Sequence, residues 1–454
     1  MAWWWSLAAL TGCHGEDALP ADSATTEPAP REVPWTHTLP PLEAPRGQQA
    51  LRTIVHLHSP WSHDACDGDP LPDGVVNEPC LQDLRAGLCE AGIDVAFVTD
   101  HPAFAADQTW DALFHAREGD ERVDGVANRI RCDDGRTVTW MPGIEDELMP
   151  VGLDRHVAGD DFAENDRIYN GYDAETVAAE RAAGASVFVA HTEQRDVPTL
   201  SALQDAGIAG VEVFNLHAMF APDIREEWLG LDGLGWVTDA APFTSPEGTA
   251  EPDLLVLAVL QAQPPSLAAW DALLQRGPAV GIGGTDAHQN VLPIDLRDGR
   301  RGDGYARMLR WFANIVWADT TSPAAVQDAL AAGRSHLVFE ILGSEQGFDF
   351  DLRDADGGVH EMGSAAPAGT LEVGCPSLHP ASPRGLEDPE ITVSVLKDGA
   401  PWREGCGAFE TDGPGVYRVE VQMVPWHLRG FLGDDPEVWL HAYPWIYGNA
   451  IRVQ

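Results

Sequence analysis

From Leu51 onward, short apolar runs alternate with segments whose apolar positions recur at helical spacing, and nearly every apolar run gives way to a polar loop. Thr53 to Leu57 reads as a short buried strand. Leu81 to Ala91 reads as a helix, followed by the apolar strand Ile93 to Val98, which runs into Thr99-Asp100-His101. Further strands are predicted over 137–141, 186–190, 210–215 and 278–283, and helices over 174–183, 199–206 and 267–276. The segment from Tyr305 to Trp317 is read as one more helix. Alternation on this scale predicts an α/β fold with a parallel sheet wrapped by helices, in which the C-terminal ends of the strands carry the chemistry.

After Phe339 the helical period ends. Ile391 to Leu396, Gly415 to Val424 and Glu437 to Tyr443 alternate apolar with polar residues between Gly and Pro turns, the pattern of an antiparallel sheet. Residues 344–454 are therefore read as a small β-sandwich domain and 51–343 as the larger α/β domain. Residues 13–50, rich in Pro, Ala, Ser, Thr and Glu and without an apolar face, read as a disordered tether.

Charge and cysteines narrow the setting. The 454 residues carry a formal charge of -44, with 72 acidic against 28 basic side chains, and Lys397 is the only lysine. Such a surface repels nucleic acid and anionic lipid, so neither is expected as a partner; a small molecule is. The start, an apolar run ending in Leu10-Thr11-Gly12-Cys13, resembles a bacterial lipoprotein signal over 1–12, with Cys13 as the lipidated residue of an exported, membrane-anchored protein. No Lys or Arg precedes that run, as a secretory leader would have. Six cysteines remain, an even number that an oxidising compartment can pair. Cys375 and Cys406 are natural partners; Cys66, Cys80, Cys89 and Cys132 allow three connectivities.

The candidate chemistry lies in His56-Leu57-His58. A lone histidine on an apolar strand is more often a satisfied core residue and a His-x-His pair alone does not decide, but four later clusters of His, Asp and Glu also follow strand-like runs. These are Thr99-Asp100-His101, Gly143-Ile144-Glu145, Ala190-His191 and Gly284-Thr285-Asp286-Ala287-His288. Imidazole and carboxylate without thiolate suit two or three hydrolytic divalent ions such as zinc, manganese or iron, not a structural zinc site. Two metals sharing a carboxylate bring the pKa of water between them from ~15.7 towards ~7, and a protonated histidine can serve the leaving group.

In this order the five motifs, spanning about Leu51 to Phe339, resemble the PHP family, the polymerase and histidinol phosphatase domain. The resemblance implies a distorted (βα)7 TIM-like barrel and a trinuclear metal site. It implies that His56, His58, Glu145 and Asp286 hold the first metal. Glu145, His156 in Arg155-His156-Val157-Ala158-Gly159, and His191 would hold the second. His101 and His288 would hold the third, with a ligand from the end of motif one. There the family commonly has Ser-Asp-Gly, whereas this chain has Ser62-His63-Asp64; Asp64 is favoured and His63 stays open. Glu145, Asp286 and His191 are read as catalytic, and Asp100 as accepting a ligand imidazole N–H. Phosphoester hydrolysis is the activity the resemblance implies. Alternatives are carbamate, carboxylic ester or amide hydrolysis and a non-catalytic binding module. The closing Pro444–Ile451 resembles the β-domain of the carbaryl-hydrolase-like branch, which cleaves a carbamate.

Glu212 and Asn215 are read as pocket residues or as hydrogen-bonding partners at the sheet end, and His217 stays undecided. Arg297, Arg300, Arg301, Arg307 and Arg310 follow the last motif. They are read either as anion binders or as partners of surface carboxylates.

Overall fold

The computed structural model describes residues 32–454, and the signal and anchor expected at 1–13 lie outside them. Nine strands build the part that carries the site: β1 (Gln49–Leu57), β2 (Val95–Asp100), β3 (Thr137–Ile144), β4 (Leu148–Val151), β5 (Ser186–Val189), β6 (Gly210–Asn215), β7 (Val280–Gly284), β8 (Ala313–Ala318) and β9 (Ser335–Val338). β1–β2, β2–β3, β5–β6 and β6–β7 are parallel pairs. β4 is antiparallel to both β3 and β5, so the sheet is mixed and not wholly parallel. The cause is the three-residue link Glu145–Glu147 between β3 and β4, far too short for the crossover a parallel pair needs. Beyond β7, the amides of Thr285 and Asp286 donate to the carbonyls of Val55 and His56, and Leu57 bridges Ala287 in parallel.

Strands β2, β6 and β7 are buried along their whole length, which explains their largely apolar sequences, with Asp100, Glu212 and Asn215 among the buried polar exceptions. The flanking helices start where the sequence supplies caps. Asn77, Asp173, Asp196 and Ser322 accept backbone N–H bonds at the starts of Glu78–Ala91, Ala174–Ala182, Val197–Ala206 and Pro323–Ala331. Gly92 and Gly207 end two of them in left-handed conformation.

The helix expected from Tyr305 to Trp317 is a correction. Only Tyr305–Met308 is helical, and β8 follows, antiparallel to β1 and β9. Ile315 and Val316 are β-branched residues in a stretch buried on both faces, so tertiary pairing overrides the apparent helical period. The strand expected from Glu437 to Tyr443 likewise moves on, to Tyr443–Gly448, after a 3-10 turn at Pro436–Trp439.

The C-terminal strands form antiparallel pairs, and one of them extends the main sheet. Tyr443–Gly448 pairs with β9 and with Gly415–Val424, joining the main sheet to the later strands. A separate four-stranded antiparallel sheet holds Phe350–Asp354 and Gly369–Val373 at its centre. Asn449 completes the join: its side chain accepts from the Gly281 N–H at 2.8 Å and donates to the carbonyls of Gly281 and Ser335.

Residues 33–48 are packed, not a free tether. The Trp35 indole donates to Asp253 at 2.5 Å, Arg310 donates to the Thr36 carbonyl, and Val33 bridges Arg384. Buried Asp253 also accepts from Arg307 and Arg310, and these side chains fix a segment whose sequence has no helical or strand period. Disulfides join Cys66–Cys80, Cys89–Cys132 and Cys375–Cys406. Among the described residues no helix is long and apolar enough to cross a membrane.

Candidate metal centre

Each motif arrives where a strand ends. β1 loses register with β2 between Ile54 and Leu57, and His56 sits at that irregularity with φ 61°. His191 (φ 50°) and Asp286 (φ 47°) are also left-handed non-glycine residues. Such conformations cost about 1–3 kcal/mol each and persist where the surroundings over-determine them. The result is one cluster in which His56, His58, Glu145, Asp286 and His288 are buried, and Asp64, His101 and His191 form a partly open edge.

The imidazoles share one arrangement. His56 Nδ1 meets Glu212 Oε1 at 2.6 Å, and His58 Nδ1 meets the Ser62 hydroxyl at 2.7 Å. His101 Nδ1 faces the Glu145 backbone carbonyl at 3.1 Å, and His288 Nδ1 faces the Asp286 carbonyl at 3.0 Å. Each Nδ1 is thus held from behind, leaving Nε2 to point inward, as a ligating imidazole is held. His191 Nδ1 lies 3.6 Å from buried Glu193, and its Nε2 also turns inward.

Inside, the Nε2 atoms of His56 and His58 both lie 3.3 Å from Asp286 Oδ1. Glu145 Oε1 is 3.8 Å from His56 Nε2 and 3.6 Å from His191 Nε2, and Asp286 Oδ2 is 3.5 Å from the latter. A second triangle consists of Asp64 Oδ1, His101 Nε2 and His288 Nε2, with edges of 3.5, 3.4 and 3.4 Å. Ligand atoms around a tetrahedral ion with bonds near 2.0–2.1 Å lie about 3.3–3.5 Å apart. His56 Nε2, His58 Nε2 and Asp64 Oδ1 are buried without a hydrogen-bond partner, an orphaning that a cation would relieve. The residue types, spacing and orphaned atoms therefore fit divalent ions.

The protein's own charges act on the same groups. Burial alone would lower His101 and His191, but for His101 the hydrogen bond and charge of Glu145 with Asp64, and for His191 Glu193 with Asp286, raise each to about 9. His58 goes well below its usual value through burial and the nearby His288 and His101. Asp286, although buried, is held well below the usual carboxylate range by His56 and His58.

Two expected residues stand differently. His156 is not brought to the cluster: its Nε2 faces the Gln108 carbonyl at 3.0 Å and its Nδ1 the Tyr169 hydroxyl at 3.2 Å, beside Trp110. Its spacing from Glu145 resembles the family pattern, but the turn after β4 carries it into a pocket of its own. Asp100 does not accept an imidazole N–H. It accepts from the Ser59 amide and hydroxyl at 2.7 Å and from the Ser62 hydroxyl at 2.9 Å, and so reaches His58 through Ser62. Burial pushes its carboxyl up to about 6. Between the two motif-one alternatives, Asp64 points at His101 and His288, while exposed His63 stands with its ring 5.0 Å from that of His101.

Glu212 does more than line a pocket: its second oxygen accepts the His191 N–H at 2.8 Å and the Asn215 amide at 3.0 Å, so one carboxylate fixes two ligands. His217 is half-buried beside the cluster, its ring 6.2 Å from His191 and 6.5 Å from His288. The later arginines are committed elsewhere: Arg300 to Glu90, Arg301 to Asp67 and Asp303, Arg307 and Arg310 to Asp253, and Arg297 to the Phe243 carbonyl. Ser62, Glu193 and Arg195 escaped the sequence reading. Ser62, four residues after His58 within the motif, was the one with a local signal; Arg195 pairs with Glu147, two residues past Glu145.

No protein-family model and no curated protein matches the chain. It is similar to the crystal structure of a two-domain protein of Bacteroides vulgatus containing a predicted PHP-like metal-dependent phosphoesterase, at 11% identity and TM-score 0.37, over 92% of this chain and 99% of that one. It is also similar to a lesion-specific endonuclease of Pyrococcus furiosus, at 10% identity and TM-score 0.35, over 67% of this chain and 62% of that one. Likeness at these scores carries no argument about activity.

Proposed function

We propose that the chain is a metal-dependent hydrolase of PHP type. The observation that carries the reading is that four imidazoles are each held at Nδ1 and present Nε2 to a shared set of carboxylates. His56, His58, Glu145 and Asp286 would hold a first cation; His191 with Glu145 and Asp286 a second; and Asp64, His101 and His288 a third. The strand succession β1–β2–β3–β4–β5–β6–β7, together with the contacts of 285–287 with 55–57, supports the distorted (βα)7 barrel as its frame. Cations bound there supply Lewis acidity and an acidified water.

The chain's residues do the rest. Glu145 Oε1 lies between His56 and His191 and spans the first two positions. Glu212 fixes the tautomer of His56, and His217, beside the cluster, is placed to give a proton to a leaving group. Phosphoester hydrolysis is the leading reaction. The commitment of Arg297 to Arg310 to other partners favours a second reading, hydrolysis of a neutral carbamate or carboxylic ester. Three disulfides suit the proposed export and lipid anchor at Cys13.

Turnover of aryl phosphate, phosphodiester, carboxylic ester and carbamate substrates, before and after chelation, tests the reading. Chelation should abolish the activity, Mn, Fe or Zn should restore it, and Glu145→Gln should remove it while far-UV dichroism stays unchanged. Full turnover by Glu145→Gln, or by the chelated protein, contradicts the proposal.

A further inference from the structure

We infer that the Cys66–Cys80 disulfide is a positioning element for the third cation position, the one built from Asp64, His101 and His288. The inference rests on the metal-dependent reading above. Asp64 is the carboxylate of that triangle, and it is carried by an irregular loop, whereas Glu145 and Asp286 directly follow strands.

What holds this loop is visible residue by residue. The amides of Cys66 and Asp67 donate to the carbonyls of His288 and Gln289, each at 3.0 Å, and the Asn290 side chain donates to the Asp64 carbonyl at 3.0 Å. The loop bearing Asp64 is thus laced to the loop bearing His288. The lacing needs an unfavourable backbone: Cys66 and Asp67 are consecutive non-glycine residues at φ 56° and 61°, and Gln289 opposite them is at 60°. Such conformations persist only where the surroundings over-determine them.

Arg301 holds the Asp67 end, pairing with its carboxylate at 2.6 Å and donating to the Gln289 carbonyl at 3.1 Å, and the disulfide holds the Cys66 end, next to Asp64. Cys80 lies in the first turn of the helix Glu78–Ala91, whose Leu81, Leu84 and Leu88 are fully buried. The same helix packs through Gly87 against Tyr305; a Cβ at Gly87 would come within 2.8 Å of the Tyr305 side chain. The Tyr305 hydroxyl lies 3.0 Å from the His58 carbonyl and 3.2 Å from that of His288. Cys66 is therefore tied to a helix that packs on Tyr305, whose hydroxyl touches both neighbouring ligand segments. Opening the crosslink frees Cys66 to leave the left-handed region and Asp64 to swing out, leaving two imidazoles at the third position. The first two positions keep their ligands, because those follow strands. Cys89–Cys132 holds the far end of the same helix and touches none of these groups, which makes it the matched control.

The test compares loaded wild-type protein with Cys66→Ser/Cys80→Ser, Cys89→Ser/Cys132→Ser and, with all disulfides intact, Asp64→Asn. Cation number is read by native mass spectrometry, and the affinity of the weakest-held cation by chelator competition with Zn or Mn. Cys66→Ser/Cys80→Ser and Asp64→Asn should each lose one cation or hold it about 10- to 100-fold more weakly. The Cys89→Ser/Cys132→Ser protein should keep the full number. Hydrogen exchange should show lost protection at 66–67 in the first variant, with the helix Glu78–Ala91 still protected. Unchanged cation number and affinity in Cys66→Ser/Cys80→Ser overturn the inference alone. Loss of all cations together, or collapse of the helix, also overturns it, since the crosslink is then a brace of the whole fold. A wild-type chain that holds no cation overturns the hydrolase reading as well.

Discussion

Replacing Glu212 with Gln tests whether this carboxylate sets the metal-ligating tautomer of His56. Three donors converge on it: His56 Nδ1 at 2.6 Å, the His191 N–H at 2.8 Å and the Asn215 amide at 3.0 Å. Glutamine offers one acceptor oxygen and one NH2 in the same space. If its oxygen serves His191 and Asn215, its NH2 faces His56 Nδ1, and the ring must move its proton to Nε2, removing the lone pair aimed at the first cation. If it flips, two buried donors meet an NH2, at about 1–3 kcal/mol for each orphaned group. The first route costs less folding energy, so the variant should fold with modest loss and bind metal about 10- to 100-fold more weakly. Chelator competition run beside urea unfolding measures both. Metal affinity within about twofold of wild type, with an unchanged urea midpoint, would refute this role for Glu212.

Gly284→Ala should weaken metal binding as Glu212→Gln does, because a Cβ there would lie 1.9 Å from Glu212 Oε1 and 3.1 Å from His56 Nδ1; wild-type affinity in the same competition assay contradicts this. His56, raised despite its burial well above its ordinary value by Asp286, Glu212 and Glu145, and His101 and His191, raised to about 9, are protonated at pH 7.5 in the cation-free chain, so loading should release about three protons. Calorimetry in buffers of different ionisation enthalpy reads that number, and zero release contradicts it. The sign for stability follows from a folded value above the ordinary 6.5: the contribution is full below pH 6.5 and is lost as pH rises through about 9. The urea midpoint of chelated protein should therefore fall over that range, and a flat profile counts against it. Asp253→Ala strips a carboxylate from buried Arg307 and Arg310 and should cost about 3–5 kcal/mol in urea unfolding; a loss under about 1 kcal/mol contradicts the pairing.

The ligands were legible because each follows an apolar run of strand length within a short motif, so local sequence carries both the residue and its place at a sheet end. Asp64 against His63 was not decidable locally, since the choice depends on how the loop after His58 is tied to His288. The resemblance suggested His156, but its position depends on the turn after β4, where Gln108 and Tyr169, distant in sequence, take both ring nitrogens. The arginines were ambiguous for the same reason: Asp253, Glu90 and Asp67, which take them up, lie far away in the chain. Tyr305 to Trp317 misled because a run buried on both faces has no period to separate helix from strand. Residues 33–48 looked like a tether because single side chains such as Trp35, without periodicity, anchor them.

The central claim, that these histidines and carboxylates form a multinuclear metal centre, is tested most directly by anomalous diffraction from crystals of the protein loaded with Zn or Mn. The account predicts two or three peaks about 2.0–2.3 Å from the Nε2 atoms of His56, His58, His101, His191 and His288 and the oxygens of Asp64, Glu145 and Asp286. Loaded crystals with no peak there, and with Asp286 and Glu145 bonded directly to the imidazoles, would contradict it.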